Sequence, residues 1–252
     1  MIYVTGDTHA NFKHRFSTEN FSEQKDMTKD DYLIICGDFG GIWDVGWESK
    51  NEKYWLDWFE SRNYTLLFVD GNHENFDRLN GYPVKEWHGG KVHEIRPHVL
   101  HLMRGQVFEI DGKKIFTFGG ASSHDIDGGI LELDDPDFKK KKKELDKGWK
   151  TYRINHLSWW KEELPSAEEM EEGRINLQKH NNQVDFIVTH CASSSTVALL
   201  RQGVYKPDLL TDYLEEVRQT VKFKKWFFRH YHDNRNVNEE EILLWEQIIR
   251  IS

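Results

Sequence analysis

Short runs of β-branched and aromatic residues punctuate the chain: Ile2–Val4, Tyr32–Ile35, Thr65–Val69, Val99–Met103, Gln106–Ile110, Lys114–Phe118, Phe186–Thr189 and Trp226–Phe228. Nearly continuous apolar runs this short read as strands buried on both faces. Between the early runs the period changes. From Trp47 to Arg62, the residues Trp55, Trp58 and Phe59 recur at helical spacing. Strand alternating with helix predicts a layered α/β fold with parallel pairings. Asp111-Gly112 separates two alternating runs and predicts a two-residue hairpin turn, so the sheet system is mixed. Glu241–Ile251 reads as a terminal hairpin or a helix, with strands preferred.

Two segments read as insertions. Asp134–Lys150 carries Asp-Asp-Pro-Asp followed by Lys139–Lys143, which is read as a solvated face. In the next, Ser166 followed by Glu169 predicts a capping box that starts a helix running to about Lys179. There is no internal repeat, low-complexity linker or clear boundary. The expected organisation is a single domain over 1–252 with a helical excursion around 134–182.

Composition narrows the function. With 252 residues, 38% hydrophobic and 31% charged, the chain is long enough for a large core and polar enough to be globular. The net charge of −9 does not favour nucleic acid as a general partner, and a local basic groove is the one foothold left for it. No apolar run approaches the roughly 18 residues of a membrane span. The stretch Met1–Asp7 lacks the basic and apolar regions of a signal peptide, so a cytoplasmic protein is expected. Cys36 and Cys191 both follow apolar runs and read as buried, reduced thiols.

The strand ends carry the chemistry. After the first run comes Gly6-Asp7-Thr8-His9; after the second, Gly37-Asp38-Phe39-Gly40-Gly41; after the third, Asp70-Gly71-Asn72-His73-Glu74. Thr189-His190 and Arg229-His230-Tyr231-His232 close the two late runs. Ligands of α/β sheets gather beyond the carboxyl ends of strands. Carboxylates and imidazoles desolvated there are costly unless paired, and one shared cation would satisfy them together. Carboxylate, imidazole and amide oxygen without thiolate suit Mn²⁺, Fe²⁺ or Zn²⁺.

The ordered blocks Asp-x-His, Gly-Asp, Gly-Asn-His-Glu, Thr-His and His-x-His, spread from Asp7 to His232, resemble the calcineurin-like metallophosphoesterase superfamily. Gly37–Gly41, Gly71–Leu79 and Gly119–Asp125 are similar to a bacterial and phage-type branch of it. The resemblance implies a two-layer mixed β-sandwich flanked by α-helices and a centre of two divalent ions, Mn²⁺ first, with Fe or Zn as alternatives. Asp7, His9 and His232 would hold one ion and Asn72, His190 and His230 the other, with Asp38 bridging. His73 would stand beside the leaving group as a catalytic acid, and Glu74 would orient an imidazole. Asp70 would do the same or serve only the turn.

The implied enzyme is a hydrolase of phosphoester bonds, a phosphatase or phosphodiesterase. Its substrate would be a phosphorylated small molecule or a phosphoprotein, with no membrane partner. The arginines expected of phosphoprotein phosphatases are missing around Gly41 and Asp70, and Arg229 stands where a Gly is usual, either turned outward or meeting a phosphate. The competing readings are a serine/threonine-type phosphoprotein phosphatase, a catalytically weak scaffold that binds a phosphorylated ligand, and a nuclease using Lys139–Lys143. Gly119–Asp125 reads equally as a segment facing the site or a tight turn, and Trp159–Glu163 as an amphipathic helix in preference to a cover over the opening.

Overall fold

A computed structural model describes residues 1–201 and 206–252. In chain order its strands are β1 Ile2–Thr5, β2 Tyr32–Cys36, β3 Thr65–Val69, β4 Val84–Trp87, β5 Gly90–Arg96, β6 Val99–Leu102, β7 Gln106–Ile110, β8 Lys113–Phe118, β9 Ile130–Leu131, β10 Arg153–Ile154, β11 Phe186–Thr189, β12 Lys225–Phe228, β13 Arg235–Asn236, β14 Glu241–Leu243 and β15 Ile248–Arg250. The helices are α1 Phe12–Arg15, α2 Lys50–Glu60, α3 Phe76–Leu79, α4 Phe138–Lys147, α5 Ala167–Lys179, α6 Ser194–Arg201 and α7 Leu209–Thr220.

Two mixed sheets form, in the orders β15-β1-β2-β3-β6-β5-β4 and β13-β14-β12-β11-β8-β7, beside a small β10-β9 ribbon. The central strands β1, β2, β3 and β6 run parallel, as do β8, β11, β12 and β14. Every residue of β2 and β3 is buried, which is why their sequences run apolar without alternation. Alternate side chains go to different layers. Ile2, Val4, Ile34, Leu67 and Val69 meet Phe108, Ile115, Val188 and Phe227 of the second sheet. Leu33, Ile35, Leu66 and Phe68 pack outward on Leu56, Phe59, Phe76 and Leu79 of α2 and α3. On the far side, Phe116, Ile187 and Trp226 pack on Leu177, Leu210, Leu214 and Val217 of α5 and α7. The layers are therefore helix, sheet, sheet, helix. Each aliphatic or Phe side chain buried this way contributes about 1.5–3 kcal/mol before entropy is counted.

The local signals hold where they are strong. Ser49 caps α2 on Glu52 N, and Ser166 with Glu169 forms the full capping box of α5. Asp111 and Gly112 both take positive φ, 49° and 67°, as a tight β7–β8 turn requires. Glu241–Ile251 does form strands, but not a hairpin: β14 joins the second sheet and β15 the first. Trp159–Glu163 is not an amphipathic helix. Trp160 is extended and fully buried, donates Nε1–H to Asp77 (2.7 Å), and leads into a single 3₁₀ turn, Lys161–Glu163. The hairpin β4–β5 has no clear apolar signal, because β4 reads Val-Lys-Glu-Trp at the sheet's exposed edge.

Candidate metal centre

The carboxyl ends of β1, β2 and β3 come to one edge of the sandwich, and those of β11 and β12 meet them from the second sheet. Turns fix what happens next. His9, Asp38, His230 and His232 all hold positive φ, 44°, 44°, 69° and 51°. That left-handed region is uncommon for residues with a Cβ, and its local strain is a recurrent mark of functional sites. Gly37 sits at φ 91°, and a Cβ there would lie 2.1 Å from His190 Nδ1. A Cβ on Gly71 would lie 2.0 Å from Asp38 Oδ1. Side chains and backbone close on one point, and only glycine fits at those two positions.

Asp38 is that point. Its Oδ1 accepts the His73 N–H at 2.7 Å, and its Oδ2 lies 3.6 Å from His9 Nε2 and 3.4 Å from His190 Nε2. Its backbone carbonyl accepts from both Thr8 N and His9 N, locking the first turn to the second. Burial pushes its carboxyl up, but the His190, His73 and His9 imidazoles more than offset this and hold it well below the usual range.

On one side of Asp38, the ligating atoms of Asp7, His9 and His232 all lie within 4.8 Å of one another. Asp7 Oδ2 pairs with His9 Nε2 at 3.0 Å, and Asp7 Oδ1 accepts from Arg229 Nε at 2.5 Å. Arg229 is fully buried, with Nη2 3.3 Å from His232 Nδ1. Arg229 thus points inward and not out to solvent, with its Nη1 buried and without a hydrogen-bond partner. It clamps the outer oxygen of Asp7. Arg15 reinforces the same turn by donating to the Gly6 and Asp7 carbonyls.

On the other side stand Asn72, His190 and His230. His190 Nδ1 lies 2.8 Å from the Cys36 carbonyl, which can only accept, so Nδ1 carries the proton. Its Nε2 is buried near Asp38 but without hydrogen-bond geometry. Asn72 Nδ2 donates to Ser123 Oγ at 3.3 Å, which turns Oδ1 inward, buried and without a partner. His230 Nε2 faces His124 Nε2 at 3.1 Å. Buried lone pairs left bare are rare in native folds. His190 Nε2 lies beside the ionised Asp38 carboxylate and Asn72 precedes the residue whose N–H that carboxylate accepts, so both fit a divalent cation there, and the donor set is one that hard and borderline ions accept.

His73 is half-buried behind Asp38, its ring 5.2 Å from that of His9 and 5.9 Å from Trp43. Burial pushes its imidazole below its ordinary value, against the pull of Asp38. It borders a cleft of about 250 Å³ with His9, Gly40, Trp43 and Asn51. A larger hollow, about 580 Å³, lies elsewhere, against Arg104, His93 and Phe76.

The structure thus brings together Asp7, His9, Asp38, Asn72, His73, His190, Arg229, His230 and His232. Glu74 is buried nearby but accepts the Phe39 N–H at 2.7 Å, fixing the Asp38 turn and not an imidazole. Asp70 faces away, ion-paired with Arg104 and bonded to His101 Nε2 at 3.1 Å. Sequence reasoning missed Arg104, and also the relay from Asn72 through Ser123 to Glu163, whose Oε2 accepts from Ser123 Oγ at 2.6 Å. Gly119–Asp125 does face the site, through Ser123 and His124.

Such a set of donors at strand ends of a double sandwich defines a metal-dependent phosphoester hydrolase. The chain belongs to the calcineurin-like phosphoesterase family, whose model matches residues 1–233. That family generally binds divalent metals. Among curated proteins, the chain is similar to lariat debranching enzyme A of Xenopus laevis, 24% identical over 143 residues, 52% of this chain and 26% of that protein. It is similar also to the lariat debranching enzyme of Danio rerio, 23% identical over 144 residues, 52% of this chain and 24% of that protein. The matched stretch spans about a quarter of the length of either relative. Among the described residues no helix is long and apolar enough to cross a membrane.

Proposed function

We propose that the chain hydrolyses phosphodiesters at a centre of two divalent ions, with Mn²⁺ the best-suited metal. The observation that carries this is Asp38, whose carboxylate lies between His9 and His190 while Asn72 Oδ1 and His190 Nε2 are buried without hydrogen-bond partners. Asp7, His9 and His232 would hold one ion and Asn72, His190 and His230 the other, with Asp38 shared between them. When bound, the ions supply Lewis acidity and an activated water for in-line attack on phosphorus. The chain's own residues do the rest. Arg229 and Arg15 fix Asp7, the Cys36 carbonyl sets the His190 tautomer, and the Asp38–His73 contact places an imidazole where a leaving alkoxide can take a proton.

Diesters are favoured over monoesters because arginine is not free to grip a dianion. Among the described residues, the arginines around the site are paired or enclosed: Arg229 with Asp7, its unpartnered Nη1 buried, Arg15 with backbone carbonyls, Arg153 with Asp125 and Arg104 with Asp70. The same observation weighs against a phosphoprotein phosphatase. The relatives' names, which speak of debranching lariats, give no substrate to this chain. The test compares kcat/KM for bis-(4-nitrophenyl) phosphate and 4-nitrophenyl phosphate during Mn²⁺ titration. Diester hydrolysis at least equal to monoester is expected. A strong monoester preference would overturn the diester reading, and no turnover of either would leave a binding scaffold.

A further inference from the structure

Helix α4 is a costly piece of structure. None of its residues is buried, its cap Asp137 makes no side-chain cap bond, and no acid lies in its first turn. Lys139, Lys140 and Lys141 occupy that turn instead, against the helix dipole, and the i,i+4 pairs Lys139/Lys143 and Lys143/Lys147 repel. The helical period sorts its side chains. Phe138, Lys142 and Leu145 are half-buried and turn inward, with Leu145 over Gly128. Lys139, Lys140, Lys143 and Lys147 are exposed and share an arc of about 100° on the opposite side. Lys141 and Lys142 are neutralised by Asp135 and Asp146, whereas no ion pair engages the four stripe lysines among the described residues. Just beyond the helix, Trp149 is 95% exposed and held at φ 52°. An indole in the left-handed region, packed on nothing, does not stabilise the fold either. The helix abuts the Gly128–Gly129 turn, four residues after His124, which faces His230.

Resting on the phosphodiesterase reading of the centre, we infer that the α4 lysine stripe and Trp149 bind a single-stranded polynucleotide and lead it to that centre. Lysines at this spacing track a phosphate backbone, and a bare indole offers a face on which a base stacks. A lipid surface fits less well. An interfacial helix must present its apolar face, and here Phe138 and Leu145 are turned onto the protein. An acidic peptide would use the lysines but has no call on Trp149. The chain's net charge of −9 opposes polyanions in general, so binding needs a local basic stripe such as this one.

The test measures anisotropy of a fluorescein-labelled oligothymidylate with full-length protein in EDTA, across a salt series. Binding in EDTA is independent of turnover, so failure here is distinguishable from failure of the diester assay. Lys139→Glu/Lys143→Glu/Lys147→Glu should weaken binding at least about 10-fold and reduce the log–log salt slope by roughly 2–3. Trp149→Ala should weaken it about 5- to 100-fold with the slope unchanged. Both Mn²⁺-loaded variants should hydrolyse bis-(4-nitrophenyl) phosphate like the parent. Parent-like oligonucleotide affinity in both variants would overturn the inference. So would equally tight, Trp149-independent binding of polyglutamate, or tighter binding of phosphatidylserine vesicles.

Discussion

The two halves of the proposed metal centre are built differently. Around Asp7 the chain supplies its own counter-charges: His9 and the buried Arg229 occupy both carboxylate oxygens, and His232 leans on the same guanidinium. Around Asn72 and His190 it leaves Oδ1 and Nε2 bare. In the first half the carboxylate is paired from within the chain and only the Arg229 Nη1 donor is left bare, while in the second the bare atoms are the acceptors a cation would take. A preorganised site can thus hold its shape by internal ion pairs at one pole and keep its unmet demand for a cation at the other.

The largest effect should come from removing what the halves share. Asp38→Asn should take diester hydrolysis to background and lower the bound metal from two ions to one or none. Two tightly held ions by metal analysis of that variant would show that the poles do not share this carboxylate. His73→Ala separates chemistry from either pole. It should keep both ions and lose roughly 10²- to 10⁴-fold in kcat for alkoxide leaving groups, and less for 4-nitrophenolate. A loss independent of leaving group would deny His73 the role of acid.

Arg229→Met tests the Asp7 pole. It leaves Asp7 buried beside no guanidinium, a change that costs about 3–5 kcal/mol and lowers the melting temperature by about 10 °C in EDTA. Mn²⁺ should recover much of the loss, because a cation takes over the missing charge. A variant as stable as the parent in EDTA would mean that His9 alone suffices for Asp7. The smallest effect lies beneath the Asn72 pole, in the buried chain His93–His101–Asp70. Burial and His101 push His93 down to about 4. The unfolded chain therefore binds more protons than the folded one between that value and the ordinary 6.5. This stability is present above pH 6.5 and lost as pH falls toward 4. Urea midpoints at pH 7 and pH 4.5 should fall less in His93→Asn than in the parent. An equal fall would take His93 out of the acid response.

Much of this was legible in the sequence for a physical reason. A strand buried on both faces must be apolar, so the switch to Gly, Asp, His or Asn marks its end sharply, and the centre is made of strand ends. The helix–sheet–sheet–helix layering came from the resemblance, not from the apolar pattern, which predicts only a mixed α/β fold. The supports of the site were not legible. Arg104 and Glu163 reach Asp70 and Ser123 across 34 and 40 residues of chain, and pairings at that separation leave no local period. Arg229 was visible as an oddity, but its direction was not. Whether a guanidinium meets solvent, phosphate or carboxylate is decided by what packs around it, here Asp7, His232 and the Trp245 ring at 5.5 Å.

The pairing of β1 with β15 has a consequence in time. Tyr3 lies opposite Arg250, and His232 must return to Asp7, so neither the complete first sheet nor the Asp7 pole exists until His232 and β15 have been made. At ribosomal speed, roughly 10–45 s separates the emergence of Asp7 from that of His232. Through that interval β1, β2 and β3 can already pair and pack on α2 and α3, with one edge of β1 bare and the inner apolar face unpartnered. The nascent chain thus carries an adhesive edge for as long as β1 waits for β15.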